Sequence, residues 1–93
     1  MIVSTRARNL LIRISKSEDE ELVQEDGAGS WIDCDKVAGR DVMELIRFCL
    51  ISTEEAMDCK YRRWHVNEEG RALIADPEYR PMITRKKGSH DHH

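Results

Sequence analysis

Two stretches of the chain carry apolar residues at the i, i+3, i+4, i+7 spacing that places side chains on one face of a helix. The first comprises Ala7, Leu10, Leu11 and Ile14, and the second comprises Val42, Leu45, Ile46 and Cys49. The first helix is expected to begin near Ser4 or Thr5, either of which can cap it. The second is expected over residues 39–49, with Cys49 on its buried face and Val37 extending that face backward by one turn.

Shorter apolar runs predict three extended segments and a last helix. Trp31 and Ile32 indicate the first segment, residues 50–53 the second and residues 59–66 the third. Alternation along the third segment predicts one face with Lys60, Arg62, Trp64 and Val66, and an opposite face with Cys59, Tyr61, Arg63 and His65. The last helix is expected to start at Asn67, a suitable N-cap, and to end at Asp76 and Pro77.

Residues 17–30 form an acidic segment in which Leu22 and Val23 are the only large apolar residues before Gly27-Ala28-Gly29-Ser30. This composition predicts a short helical turn followed by a flexible loop. The whole order of elements then becomes helix, acidic loop, short strand, helix, two-stranded hairpin and helix. Such an order predicts an α+β fold on the plan of a small winged helix, with a three-helix core and an antiparallel wing of two or three strands.

Residues 1–79 are expected to form this domain, and residues 80–93, which are basic and then His-rich, are expected to form a disordered tail. The predicted core consists of Leu10, Leu11, Ile14, Trp31, Ile32, Val42, Leu45, Ile46, Leu50, Trp64, Val66, Leu73 and Ile74. Both tryptophans are placed in the core because each begins or ends an apolar run. The alternative is that they stack on single-stranded nucleic acid.

Composition narrows the class of protein. The chain has 93 residues, of which 40% are apolar and 35% are charged, which fits one small domain with a modest core. No charge-free stretch approaches the ~20 residues of a membrane span, and Arg6, Arg8 and Arg13 interrupt the apolar residues that a signal peptide would need. Three cysteines cannot all pair with one another, so we expect a reduced, cytoplasmic setting.

The net charge of −3 conceals an uneven distribution along the chain. Residues 1–16 are basic, residues 17–35 are strongly acidic, and residues 80–93 are basic again. The acidic run includes residues 18–26, which begin at Glu18 and end at Asp26. Such a run is either a solvated face or a surface for a basic protein partner.

Two sequence blocks carry a resemblance to a known family. VMELIRFCLIS (residues 42–52) and YRRWHVNEEGRALI (residues 61–74) resemble the closing half of winged helix-turn-helix proteins of the MarR and PadR kind. They are still more similar to compact winged helices of phages and prophages, which carry a helix with L..L...GLI, a hairpin and then W.VT..GR.L. The matching residues are Leu45, Leu50, Ile51, Trp64, Val66, Gly70, Arg71 and Leu73, with Cys49 in place of the glycine and Asn67 in place of the threonine. Residues 29–32 resemble the G.WV strand that precedes the recognition helix.

The resemblance covers about half of the chain and implies a winged-helix protein that binds double-stranded DNA, such as a small transcription regulator of phage or mobile-element type. It also implies a second helix before the recognition helix. Residues 17–29 hold few apolar residues, so either this helix is short, around residues 18–24, or the loop replaces it.

For a DNA ligand, the helix over residues 39–49 is expected in the major groove and the hairpin on the adjacent backbone. The expected DNA-binding residues are Arg40, Arg47, Lys60, Arg62, Arg63, Arg85, Lys86 and Lys87, with Arg6 and Arg8 as further candidates. In the alternative reading of the helix, Glu44 pairs with Arg40 and Arg47 at helical spacing, and the helix face is an ordinary solvated surface. A homodimer is expected, because one small module reads few base pairs.

A protein-interaction module that uses the acidic segment is the competing function. No enzyme is expected, because the sequence holds no nucleophile–base pair and no glycine-rich phosphate loop. No cofactor or metal is expected either. His90, His92 and His93 suit a divalent metal ion in vitro but are better explained as a cloning remnant or a floppy terminus. A zinc set would require the fold to bring together Cys34, Cys49, Cys59 and His65.

Overall fold

The structure, a computed structural model, describes residues 2–83. In chain order it contains α1 (Thr5–Lys16), β1 (Glu21–Glu25), β2 (Gly29–Ile32), β3 (Asp35–Val37), α2 (Gly39–Arg47), β4 (Ile51–Thr53), β5 (Tyr61–Val66) and α3 (Glu68–Ala75). The strands form one antiparallel sheet in the order β3-β2-β1-β5-β4. The predicted α+β class is therefore confirmed, with more strand than the sequence pattern indicated.

Within the described part of the chain, one face of the sheet is covered by the helices and the opposite face is open. Alternation along the strands directs Leu22, Ile32 and Trp64 toward the helices, where they join a single buried cluster. That cluster consists of Ala7, Leu10, Leu11, Ile14, Leu22, Ile32, Val42, Leu45, Phe48, Leu50, Ile51, Trp64 and Leu73. Every predicted core residue lies in or packs against it except Trp31, for which the prediction was wrong. Trp31 precedes Ile32 on β2 and so points to the open face.

Two predicted helix caps are confirmed. The Ser4 hydroxyl accepts a hydrogen bond from the Ala7 N–H at the start of α1, and the Asn67 side chain accepts one from the Gly70 N–H at the start of α3. The Asn67 amide also donates to the carbonyl oxygen of Cys49 at 2.9 Å. This side chain therefore joins the end of α2 to the start of α3.

Gly70 allows α3 to approach the chain that leaves α2. A Cβ atom at this position would overlap the carbonyl oxygen of Leu50 and lie 2.8 Å from Cγ1 of Val66. Because that carbonyl also accepts the Asn67 N–H, it has little freedom to move. The glycine of the GR motif is thus required by packing.

The acidic segment is the largest difference from the sequence prediction. A helical turn or second helix over residues 18–24 and a loop over residues 17–30 were predicted, but these residues contain β1 and the start of β2. The chain reverses after α1 at Ser17, whose hydroxyl accepts the Glu21 N–H, and Glu20 takes a left-handed φ of 55°. Leu22 is then buried on the strand, because pairing with β5 places it opposite Trp64.

The helix over residues 39–49 ends earlier than predicted. α2 stops at Arg47, and Cys49 takes a left-handed φ of 59°. Phe48 is buried in its place, so Cys49 is exposed rather than on the buried face. Val37 lies on β3 and does not extend α2, because the backbone of Ala38 is already extended.

Described residues just past the predicted boundary at residue 79 still contact the domain, and the division of the chain there stays a prediction. Pro81 is buried, and the N–H of Met82 donates to a carboxylate oxygen of Glu69 on α3 at 2.7 Å. Ordered packing thus continues past residue 79. The remainder of the predicted tail, from residue 84 onward, lies outside the described residues.

Candidate nucleic-acid interface

Helix α2 presents Arg40, Met43 and Arg47 to solvent along one face. These residues lie three and four positions apart, which places them side by side on the helix surface. Among residues 2–83, neither arginine has an ion-pair partner. The two guanidinium groups are therefore available to a ligand.

The acidic residues of α2 point away from this face. Asp41 pairs with Arg6 of α1 at 3.2 Å, and only 13% of its side chain is exposed. Glu44 accepts hydrogen bonds from the N–H and the hydroxyl of Ser4 at 2.7 and 2.9 Å. Glu44 therefore does not pair with Arg40 or Arg47, because α1 supplies its partners, and that part of the alternative interpretation was wrong.

Arg62, expected to neutralise phosphates, is buried, with 6% of its surface exposed. One guanidinium nitrogen donates to the carbonyl oxygens of Met57 and Cys59 at 2.6 and 2.8 Å. The Nε atom donates to the side-chain oxygen of Gln24 at 3.1 Å. Because β5 directs this residue to the same face as Trp64, Arg62 holds the β4–β5 loop and cannot reach a phosphate.

Arg63 lies on the open face of the sheet and is bound to Glu55 in the β4–β5 loop. Its N–H and Nε donate to the two carboxylate oxygens of Glu55 at 2.9 and 3.0 Å, and a terminal nitrogen completes the ion pair. The Arg63 N–H, the Thr53 hydroxyl and the Arg63 side chain lower the pKa of Glu55 to about 2. The same carboxylate raises the pKa of Arg63. Arg63 is thus partly neutralised, and it does not share a surface with α2.

Lys60, the third hairpin residue, remains exposed. Its Nζ lies 3.9 Å from a carboxylate oxygen of Glu25 and 68% of the side chain is accessible, so this contact is weak. The two further candidates are occupied elsewhere. Arg6 pairs with Asp41, and Arg8 donates to the carbonyl oxygens of Leu73 and Ile74 at the end of α3.

The three tail candidates, Arg85, Lys86 and Lys87, lie outside the described residues, as do the histidines at 90, 92 and 93.

Cys34 and Cys49 are exposed free thiols and Cys59 is half-buried. Over residues 2–83, no group of three or more His, Cys, Asp or Glu side chains is arranged to hold a metal ion. None of the helices in that range is long and apolar enough to cross a bilayer.

The acidic segment is divided by the fold. Glu18, Asp19 and Glu20 are exposed in the turn after α1. Glu21 and Glu25 lie on β1, where Glu21 approaches His65 at 4.0 Å and Glu25 approaches Lys60. A continuous acidic surface from Glu18 to Asp26 is therefore replaced by an acidic turn and two partly matched carboxylates.

Comparisons with protein-family models, curated proteins and solved structures found no match to this chain.

Proposed function

We propose that this protein binds double-stranded DNA through the outward face of α2. The observation that carries the proposal is the orientation of the charged side chains on that helix. Asp41 and Glu44 are bound to α1, whereas Arg40 and Arg47 extend into solvent. The helix therefore offers two cations to a polyanion without an interleaved carboxylate.

The order of elements supports a winged-helix mode of binding. α2 is followed by the β4–β5 hairpin and then by α3, as a recognition helix is followed by a wing and a closing helix. In chain order, strands β1 to β3 lie between α1 and α2, as the second helix does in a helix-turn-helix protein. In this arrangement α2 enters the major groove, and exposed Lys60 on the hairpin binds the phosphate backbone.

The side chains of α2 suit a major-groove contact. An arginine binds the O6 and N7 atoms of guanine with two hydrogen bonds, and apolar side chains contact the thymine methyl group. Met43 lies between Arg40 and Arg47 and supplies that apolar contact. Since one such helix reads few base pairs, the functional unit is a homodimer on two half-sites, in the role of a small cytoplasmic transcription regulator of phage or mobile-element type.

A salt titration of binding to random duplex DNA tests this proposal. We expect a Kd in the micromolar range at ~50 mM salt that weakens steeply as salt rises. The double variant Arg40→Ala/Arg47→Ala should lower the slope of log K against log salt by about two. The control for charge is Arg13→Ala/Arg71→Ala, which removes two arginines that contact Asp35 and the Val66 carbonyl oxygen and should leave the slope nearly unchanged. Equal losses in both double variants, or no binding at ~50 mM salt, would refute the proposal.

A single acidic residue provides a second test. Asp26 in the β1–β2 turn lines the same surface depression as Gly39 and Met43 of α2. If DNA lies against α2, this carboxylate repels it. Asp26→Asn should therefore tighten binding by roughly twofold to fivefold, whereas Asp19→Asn in the distant turn should have a smaller effect.

A further inference from the structure

The open face of the sheet carries two aromatic side chains around a shallow cleft. Trp31 on β2 lies opposite Val23 on β1, and Tyr61 on β5 lies opposite Glu25 on the same central strand. Tyr61 is 57% exposed. The cleft has a volume of about 420 Å³ and is lined by Val23, Glu25, Trp31, Asp33, Cys34 and Tyr61.

The charge of the cleft favours a cation. Among residues 2–83, its lining contains the carboxylates of Glu25 and Asp33 and no lysine or arginine. Of the basic side chains around the cleft, Arg63 binds Glu55, Lys60 approaches Glu25 at 3.9 Å, and Lys36 lies over the Trp31 ring. A phosphate entering the cleft would approach Asp33 and the weakly paired Glu25, whereas a guanidinium or ammonium group would meet two carboxylates.

Both rings already attract cations of the same chain. Lys36 Nζ lies 5.8 Å from the centre of the Trp31 ring, and Lys60 Nζ lies 5.8 Å from the centre of the Tyr61 ring. These contacts are within the range of a cation–π interaction and show that cations can reach both rings. Lysine contacts of this kind are exposed and weak, so an incoming cation can replace them.

We propose that this cleft binds an arginine side chain from a basic segment of a partner protein. A guanidinium group stacks on aromatic rings and forms two hydrogen bonds with a carboxylate, so it uses both features of the lining. The exposed acidic turn of Glu18, Asp19 and Glu20 provides further attraction for a basic segment. The proposal does not rest on DNA binding by α2, because the cleft and α2 lie on opposite faces of the sheet, and Lys60 at the edge of the cleft is the residue that both proposals use.

Titration of the isotope-labelled protein with a hexa-arginine peptide tests the cleft. The indole N–H signal of Trp31 should shift and saturate. Trp31→Ala and Asp33→Asn should each weaken binding at least fivefold. Asparagine tolerates the left-handed φ of 49° at position 33, so this variant preserves the turn. Glu18→Gln is the matched control for charge and should change the affinity less than twofold. Equal losses in Asp33→Asn and Glu18→Gln would show unspecific attraction and overturn the proposal.

The Lys60→Met variant distinguishes a basic protein ligand of the cleft from a nucleic acid. Removing this lysine frees Glu25 and the ring of Tyr61, so hexa-arginine should bind roughly twofold to fivefold more tightly. If the cleft binds nucleic acid instead, Lys60→Met should lower its affinity for an octathymidylate probe. That probe would also shift the Trp31 signal of the unchanged protein and compete with the peptide. Either of those results overturns the proposal. The Arg40→Ala/Arg47→Ala variant should bind hexa-arginine as the unchanged protein does, which distinguishes failure of this site from failure of DNA binding.

Discussion

Glu44 on α2 accepts both the backbone N–H and the hydroxyl of Ser4, the residue that caps α1. The Ser4 hydroxyl at the same time accepts the Ala7 N–H. One carboxylate thus fixes the start of α1, anchors α2 against it and leaves the outward face of α2 without negative charge. The hydrogen bonds from Ser4 to Glu44 therefore both hold the two helices together and leave the outward face of α2 positively charged.

We expect Glu44→Gln to destabilise the fold by about 1 kcal/mol, because an amide replaces a charged acceptor and turns a donor toward Ser4. Urea unfolding measures this change. Glu18→Gln, at an exposed position with no side-chain partner among residues 2–83, should stay within about 0.5 kcal/mol. Equal stabilities for the two variants would show that the contact with Ser4 contributes nothing.

Arg62→Met should destabilise the protein by about 3 kcal/mol. The substitution leaves the carbonyl oxygens of Met57 and Cys59 without their guanidinium donor in a part-buried site, and the Gln24 side-chain oxygen keeps only the Trp64 Nε1 donor. Denaturant unfolding tests this, with Lys60→Met as the exposed control. A loss for Arg62→Met no larger than that of Lys60→Met would refute the structural role.

The sequence pattern contained part of this result. Alternation along residues 59–66 already grouped Arg62 with Trp64, so the burial of Trp64 implied the burial of Arg62. Arg62 was nevertheless expected to bind DNA, because three positively charged residues lie close together in the hairpin. The role of Glu55 was not predictable, because its hydrogen bonds to Arg63 depend on the loop between β4 and β5.

The fold, like the site, was predictable only where it depends on local sequence patterns. Helices α1, α2 and α3 and the hairpin β4–β5 were predictable, because long periodic runs and side-chain caps are local features. β1 was not, since Leu22 is its one fully buried residue and its partners on β5 lie about forty positions away. The position of Trp31 depended on the pairing of β2 with β1, the strand that the sequence pattern had not indicated.

Acid should weaken the β4–β5 loop as Glu55 becomes protonated. The folded pKa of about 2 lies below the ordinary value of 4.5, so the stabilisation is complete above pH 4.5 and is lost as the pH falls toward 2. Carboxyl NMR titration should give the low pKa directly, and Thr53→Val should raise it by removing the hydroxyl donor. A Glu55 pKa near 4.5 in the unchanged protein would contradict the observed hydrogen bonding.

Cys49→Gly should stabilise the protein by about 1 kcal/mol. Cys49 follows α2 with φ 59°, its N–H donates to the carbonyl oxygen of Ile46, and the Leu50 N–H donates to that of Leu45. This is the helix ending that glycine adopts without strain. Thermal unfolding checks the change. Cys49→Ala keeps the Cβ atom and should show no comparable gain, so equal gains would assign the effect to loss of the thiol.

The most direct test of DNA binding by α2 is an amide chemical-shift map of the labelled protein with a random duplex of about 20 base pairs at ~50 mM salt. We expect the largest shifts at residues 39–47, with smaller shifts around Lys60, and their loss in Arg40→Ala/Arg47→Ala. Shifts concentrated at Val23, Trp31 and Tyr61 on the open face of the sheet, or no shifts at all, would contradict the account.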